Sequence, residues 1–90
     1  MQKHISLKVT GRVQGVHYRV SARAEAERLG IKGFVRNEPD GSVYIEAEAD
    51  EVLLANLITW CKEGPPSASV DDVEINDGTW KGFTEFVVKR

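Results

Sequence analysis

Ile5, Leu7 and Val9 alternate with Ser6, Lys8 and Thr10, the period of two that sends successive side chains to opposite faces of a half-buried strand. From Tyr18 the period lengthens. Tyr18, Ala22, Ala26 and Leu29 fall four, four and three residues apart, which is one stripe of an amphipathic helix. Gly30 follows that stripe, where a left-handed C-terminal cap is expected. Two strand patterns come next, Gly33-Phe34-Val35-Arg36-Asn37 and Val43-Tyr44-Ile45-Glu46-Ala47-Glu48. Pro39-Asp40-Gly41 lies between them, with a proline to set φ and a glycine to accept a positive φ, so the pair reads as a hairpin.

Asp50 is placed to cap a second helix, with Glu51 in its positive first turn. Leu53, Leu54, Leu57, Ile58 and Cys61 form that helix's apolar face, and Gly64-Pro65-Pro66 stops it. Val70, Val73 and Ile75 suggest a strand broken by Asp71-Asp72, and Phe83 to Val88 a last strand with Phe86 and Val88 on one side. The order is β-α-β-β-α-β with room for one more short strand. It predicts an α+β, ferredoxin-like sandwich, two helices on one face of a mainly antiparallel sheet of four to five strands.

A chain of 90 residues makes a single domain, residues 1–90, with one modest core. Its 12 basic and 14 acidic side chains give a net charge of -2, which argues against a nucleic-acid surface as partner. Any bound anion is expected to be small and held at one place. No run of 18 apolar residues crosses a membrane, and the start lacks the apolar segment of a signal peptide. The single cysteine, Cys61, makes no internal disulfide. A soluble, reducing compartment, the cytoplasm, is the expectation.

Gly11-Arg12-Val13-Gln14-Gly15-Val16-His17-Tyr18-Arg19 joins the first strand to the first helix and contains no acid. A strand turning through glycines into a helix presents free N–H groups at the positive end of the helix dipole. Gly11 and Gly15 would let the main chain approach a ligand, and Arg19 adds a planar fork of donors that matches phosphate oxygens in pairs. The spacing matches neither the dinucleotide fingerprint nor the P-loop. On spacing alone, an anion cradle and a plain glycine turn beside surface arginines stand level.

The same stretch resembles the acylphosphatase signature, glycine-x-valine-glutamine-glycine-valine-x-aromatic-arginine. Gly33-Phe34-Val35-Arg36-Asn37-Glu38-Pro39-Asp40-Gly41-Ser42-Val43 resembles that family's second block, and Gly64-Pro65-Pro66 with Ala68 and Val70 a third, less specific one. The likeness covers nearly the whole chain. It implies hydrolysis of the carboxyl–phosphate bond of acyl phosphates, with Arg19 holding the phosphate and Asn37 the attacking water. By position, the main-chain amides of Gln14, Gly15, Val16, His17, Tyr18 and Arg19 form the phosphate loop. A monomer without cofactor or metal is the expectation, acting on a small-molecule substrate, with inorganic phosphate or sulfate competing because they fill the same cradle. His17 stands where the family often has a small or apolar residue, and Tyr18 where phenylalanine is common.

The remaining chemically able residues have plainer readings. His4 reads as solvated, Cys61 as a core thiol, and Trp60 and Trp80 as packing and turn anchors. Arg23, Glu27 and Arg28 read as a charged helix face, Arg12 and Arg36 as surface arginines, and Asp71-Asp72 as too few ligands for a metal. Two rivals to the enzyme are a binding module of the same fold and a module of a larger hydrogenase-maturation protein. Lys32-Gly33-Phe34-Val35 echoes part of an RNA-recognition motif, but the second aromatic pair is missing.

Overall fold

The computed structural model describes residues 1–89. The elements run β1 (Gln2–Arg12), α1 (Tyr18–Leu29), β2 (Lys32–Asn37), β3 (Val43–Asp50), α2 (Glu51–Glu63), β4 (Ser69–Gly78) and β5 (Phe86–Val88). The strands form one sheet ordered β4-β1-β3-β2-β5. Its pairings are antiparallel except β2 with β5, which is parallel. Both helices cover one face, making the ferredoxin-like α+β sandwich with five strands. No helix among the described residues is long and apolar enough to cross a membrane.

The alternation in β1 does what its period requires. Ile5, Leu7 and Val9 are buried against Val35, Val43, Ile45 and Ala47 from neighbouring strands, and against Tyr18, Ala22, Ala26, Leu54, Leu57 and Cys61 from the helices. Local signals hold at the ends. Asp50 Oδ1 accepts the Val52 N–H at 3.0 Å and caps α2, and Gly30 closes α1 in the left-handed conformation. Asp40 Oδ1 accepts from the Ser42 N–H at 2.9 Å and from its hydroxyl at 2.6 Å, shaping the β2–β3 turn.

Four sequence expectations are corrected. Asp71-Asp72 does not break β4. The partner of Thr10 is Asp72 and that of Gly11 is Val70, so Asp71 is the extra residue of a bulge and the strand runs on. Gly11 serves that bulge rather than a ligand, because an added Cβ would collide with the Ser69 carbonyl and the Asp71 nitrogen. Phe83 is outside the last strand, which spans only Phe86–Val88; residues 79–85 instead fold over the helix-free face. There Phe83 packs edge-on to Phe34, ring centroids 5.9 Å apart.

His4 is buried, not solvated. Its cross-strand partner is Glu48, and alternation sends both to the helix-free face with Glu46. Nδ1 lies 2.6 Å from Glu48 Oε2 and Nε2 3.1 Å from Glu46 Oε1. Arg36, on the same face, is half-buried. Its guanidinium lies 4.8 Å from the Tyr44 ring centroid and 5.5 Å from that of Phe34, a stacked arrangement.

β1 and β2 both run antiparallel to β3, and β5 runs with β2. The carboxyl ends of β1, β2 and β5 therefore come to one end of the sheet, next to the N-terminus of α1.

Candidate active site

At that end lies an open cleft of about 610 Å³, lined by Gly15, His17, Tyr18, Arg19 and Asn37, with Val13, Val20 and Val88 completing the walls. The size suits a small molecule. Five of the seven residues expected at the site thus share one cleft. Gln14 and Val16 do not line it; Val16 is buried, and the Gln14 side chain turns to the β2–β3 turn.

The loop between β1 and α1 is held in an uncommon shape. Gly15 has φ 72°, and His17, at φ 63° and ψ 22°, is the sole non-glycine residue with positive φ among the described residues. His17 opens α1 without a side-chain cap, and the first turn carries no acid. The Ser21 N–H bonds the His17 carbonyl at 3.1 Å, so the N–H groups of Tyr18, Arg19 and Val20 have no partner within the helix. The Val16 carbonyl accepts the Ser67 hydroxyl at 2.8 Å. Because a trans peptide points its C=O and N–H in opposite directions, that bond turns the His17 N–H away from Ser67. The outcome is a helix N-terminus with positive dipole and no acid in its own first turn to neutralise it.

The side chain of Tyr18 belongs to the fold. It is buried, and its hydroxyl donates to the Cys61 carbonyl at 2.8 Å, satisfying one of the last carbonyls of α2. Burial raises the Tyr18 hydroxyl well above its usual range and pushes the Cys61 thiol up to about 12. Cys61 is a neutral core thiol, as its place on the apolar face of α2 implied.

Arg19 is half-exposed at the start of α1. One Nη1–H donates to the Lys89 carbonyl at 3.0 Å, which orients the fork and leaves its other donors for the cleft. Asn37 ends β2 opposite Val43, on the face it shares with Val35. Its Oδ1 is buried and has no hydrogen-bond partner among the described residues. A buried acceptor left unpaired costs about 1–3 kcal/mol, so a partner for Oδ1 from outside the chain, such as a water, suits this position.

Three supports of this site escaped the sequence reading: the Gln14 side chain, the Ser67 hydroxyl and the Lys89 carbonyl. Each acts on a group 24 or more positions away. Gln14, between a buried valine and a glycine, falls in no periodic pattern that would have singled it out.

The acylphosphatase family model matches residues 5–88. An acylphosphatase of Nocardioides sp. is 46% identical over 89 residues, covering 99% of this chain and 90% of that one. Among solved structures, an acylphosphatase from Bacillus subtilis superposes with a TM-score of 0.95 at 32% identity, each chain covered completely. One from Coxiella burnetii gives 0.94 at 34% identity, covering 98% of this chain and 93% of the other.

Proposed function

Since this chain belongs to the acylphosphatase family of hydrolases that act on small acyl phosphates, we propose that Arg19 and the loop amides hold the phosphate while Asn37 positions the attacking water. The observation that carries this reading is the buried Asn37 Oδ1, without a partner among the described residues, in the same cleft as the Arg19 fork and the uncapped N-terminus of α1.

The chemistry asks for little more. Water attacks phosphorus in line, the bond from phosphorus to the acyl oxygen breaks, and the carboxylate leaves with the electron pair. A carboxylate is a weak base, so no general acid is needed to protonate it. The water proton passes to a phosphate oxygen. Charge in the transition state collects on the equatorial phosphoryl oxygens, so catalysis is positioning plus electrostatics. Arg19 and the main-chain amides supply the electrostatics. The Asn37 amide both accepts and donates, which fixes the direction of a water lone pair. The reaction so drawn is metal-independent and cofactor-free, in a single-domain monomer of the cytoplasm.

The test is phosphate release from benzoyl phosphate beside a phosphomonoester control. Hydrolysis of the acyl phosphate alone is expected, unaffected by a chelator and inhibited by inorganic phosphate or sulfate. Asn37→Ala should stay folded and bind phosphate as the parent does, while kcat falls about a hundredfold or more. A folded Asn37→Ala protein with parental kcat removes Asn37 from the mechanism.

A further inference from the structure

We infer that Gln14 is a positioning residue for this reaction: its side chain sets the placement of Asn37 relative to the phosphate loop. The inference rests on the function proposed above and assigns a role to a side chain that does not line the cleft.

Gln14 Nε2 lies 2.8 Å from the Glu38 carbonyl and 2.8 Å from the Ser42 carbonyl. Both partners can only accept, so the atom between them is the NH2, and both of its hydrogens are spent. Glu38 follows Asn37 directly in the chain, and its own N–H bonds the same Ser42 carbonyl at 2.8 Å. The amide of Gln14 therefore grips the peptide next to Asn37 together with the closing bond of the β2–β3 turn.

The sheet order shows why such a grip is needed. β1, which leads into the phosphate loop, and β2, which ends in Asn37, are not neighbours, because β3 lies between them. Val43, at the start of β3, is paired with Val9 on one side and Asn37 on the other. No ladder hydrogen bond connects the end of β1 to the end of β2. Gln14 reaches across the beginning of β3 and makes that connection with two hydrogen bonds. A water aimed at phosphorus tolerates little misplacement: about 1 Å can cost a hundredfold in rate. The loop that holds the phosphate and the strand that holds Asn37 must be fixed to each other, and Gln14 links them.

Gln14→Met preserves length and shape and removes both donors. With benzoyl phosphate, its kcat should fall about tenfold, while KM and inhibition by inorganic phosphate stay within about twofold, because Arg19 and the loop amides are untouched. On an Asn37→Ala background, the same substitution should change kcat by less than about twofold, since the group it positions is gone. A brace of purely structural value would lower the melting temperature and leave kcat per folded molecule at the parental level. That result overturns the inference, as does an equal loss of kcat on both backgrounds. Should Gln14→Met fail to fold, Gln14→Asn reaches one carbonyl at most and is read in the same two backgrounds. A parent protein that hydrolyses no acyl phosphate overturns the proposed function itself, and this is seen before any variant is made.

Discussion

The loop over the helix-free face of the sheet and the loop at the start of α1 both present main-chain N–H groups, but among the described residues only the first has a carboxylate that accepts them. Residues 79–85 fold onto Glu48, whose carboxylate accepts the N–H groups of Lys81 and Phe83, the latter at 2.8 Å, and also meets His4. Beside it Glu46 accepts from Lys81 Nζ at 2.9 Å and from the Tyr44 hydroxyl at 2.8 Å. Burial by itself would raise both carboxyls, yet these donors outweigh it and hold them below the usual glutamate range. At α1 there is no acid in the first turn and no side-chain cap, and Arg19 adds further positive charge. Amides paired with a carboxylate close the fold in one place; in the other, the proposed function gives them the phosphate of the substrate. Substitutions at the two loops should therefore separate stability from activity.

The largest effect belongs to Arg19. Arg19→Lys keeps the charge and loses the planar fork, so it should lose nearly as much activity as Arg19→Ala. We expect about a hundredfold or more, on the order of 3 kcal/mol of transition-state stabilisation. Melting temperatures should barely move. Turnover close to the parent's in the lysine variant would show that a point charge suffices and that the fork is not what sets this loop apart.

Glu48→Ala should do the converse. Removing one partner of a buried charged cluster costs about 3 kcal/mol, read in denaturant titrations, with kcat per folded molecule unchanged. The pH dependence sharpens the contrast. The folded carboxyls of Glu46 and Glu48 lie below the ordinary value of 4.5. Their contribution is therefore complete above the unfolded value and is lost as pH falls through the folded ones. The parent should lose stability below about pH 4.5, and the Glu48 variant should lose less over the same range. Equal acid sensitivity in both proteins would place the acid-labile interaction elsewhere.

Tyr18→Phe removes only the hydroxyl bond to the Cys61 carbonyl. A loss of about 1 kcal/mol in stability is expected, with kcat and KM at parental values. A change in kcat would move the Tyr18 side chain from the fold to the cleft.

The smallest effect is at His17, exposed and in the left-handed conformation. His17→Gly relieves a backbone penalty of about 1 kcal/mol, part of which is returned to the more flexible unfolded chain. A slight rise in melting temperature is expected, with a rate profile unchanged between about pH 5 and 8. A profile altered in that range would show that the imidazole itself takes part.

Much of this molecule was legible because its signals are local. The alternation of Ile5, Leu7 and Val9, the Asp50 cap, the Gly30 terminator and the Asp40-Gly41 turn all concern groups within a few residues of each other. Torsional preference and nearby hydrogen bonds decide such features before any tertiary contact forms. The glycine-rich corner and the Asn37 block were legible as well, because each is a contiguous run with its own resemblance. The bulge at Asp71 was not. Two aspartates mid-strand are poor strand formers, and only the register against Gly11 shows why the chain tolerates them there.

By itself, then, the sequence determined most of the elements, their order, and two of the segments that line the cleft, since backbone preference and hydrophobic period act over a few residues. The unbroken β4, the short β5 and the Val88 wall came from the packed sheet. Tertiary structure alone decided which distant groups meet. His4 reaches Glu48 across 44 positions, the Tyr18 hydroxyl finds Cys61 across 43, and Gln14 grips Glu38 and Ser42 across 24 and 28. A side chain's protonation, burial and hydrogen-bond partner depend on what the sheet order sets beside it, and strand order is a property of the whole packed core. For that reason His4 looked solvated in one dimension and lies buried between two carboxylates in three.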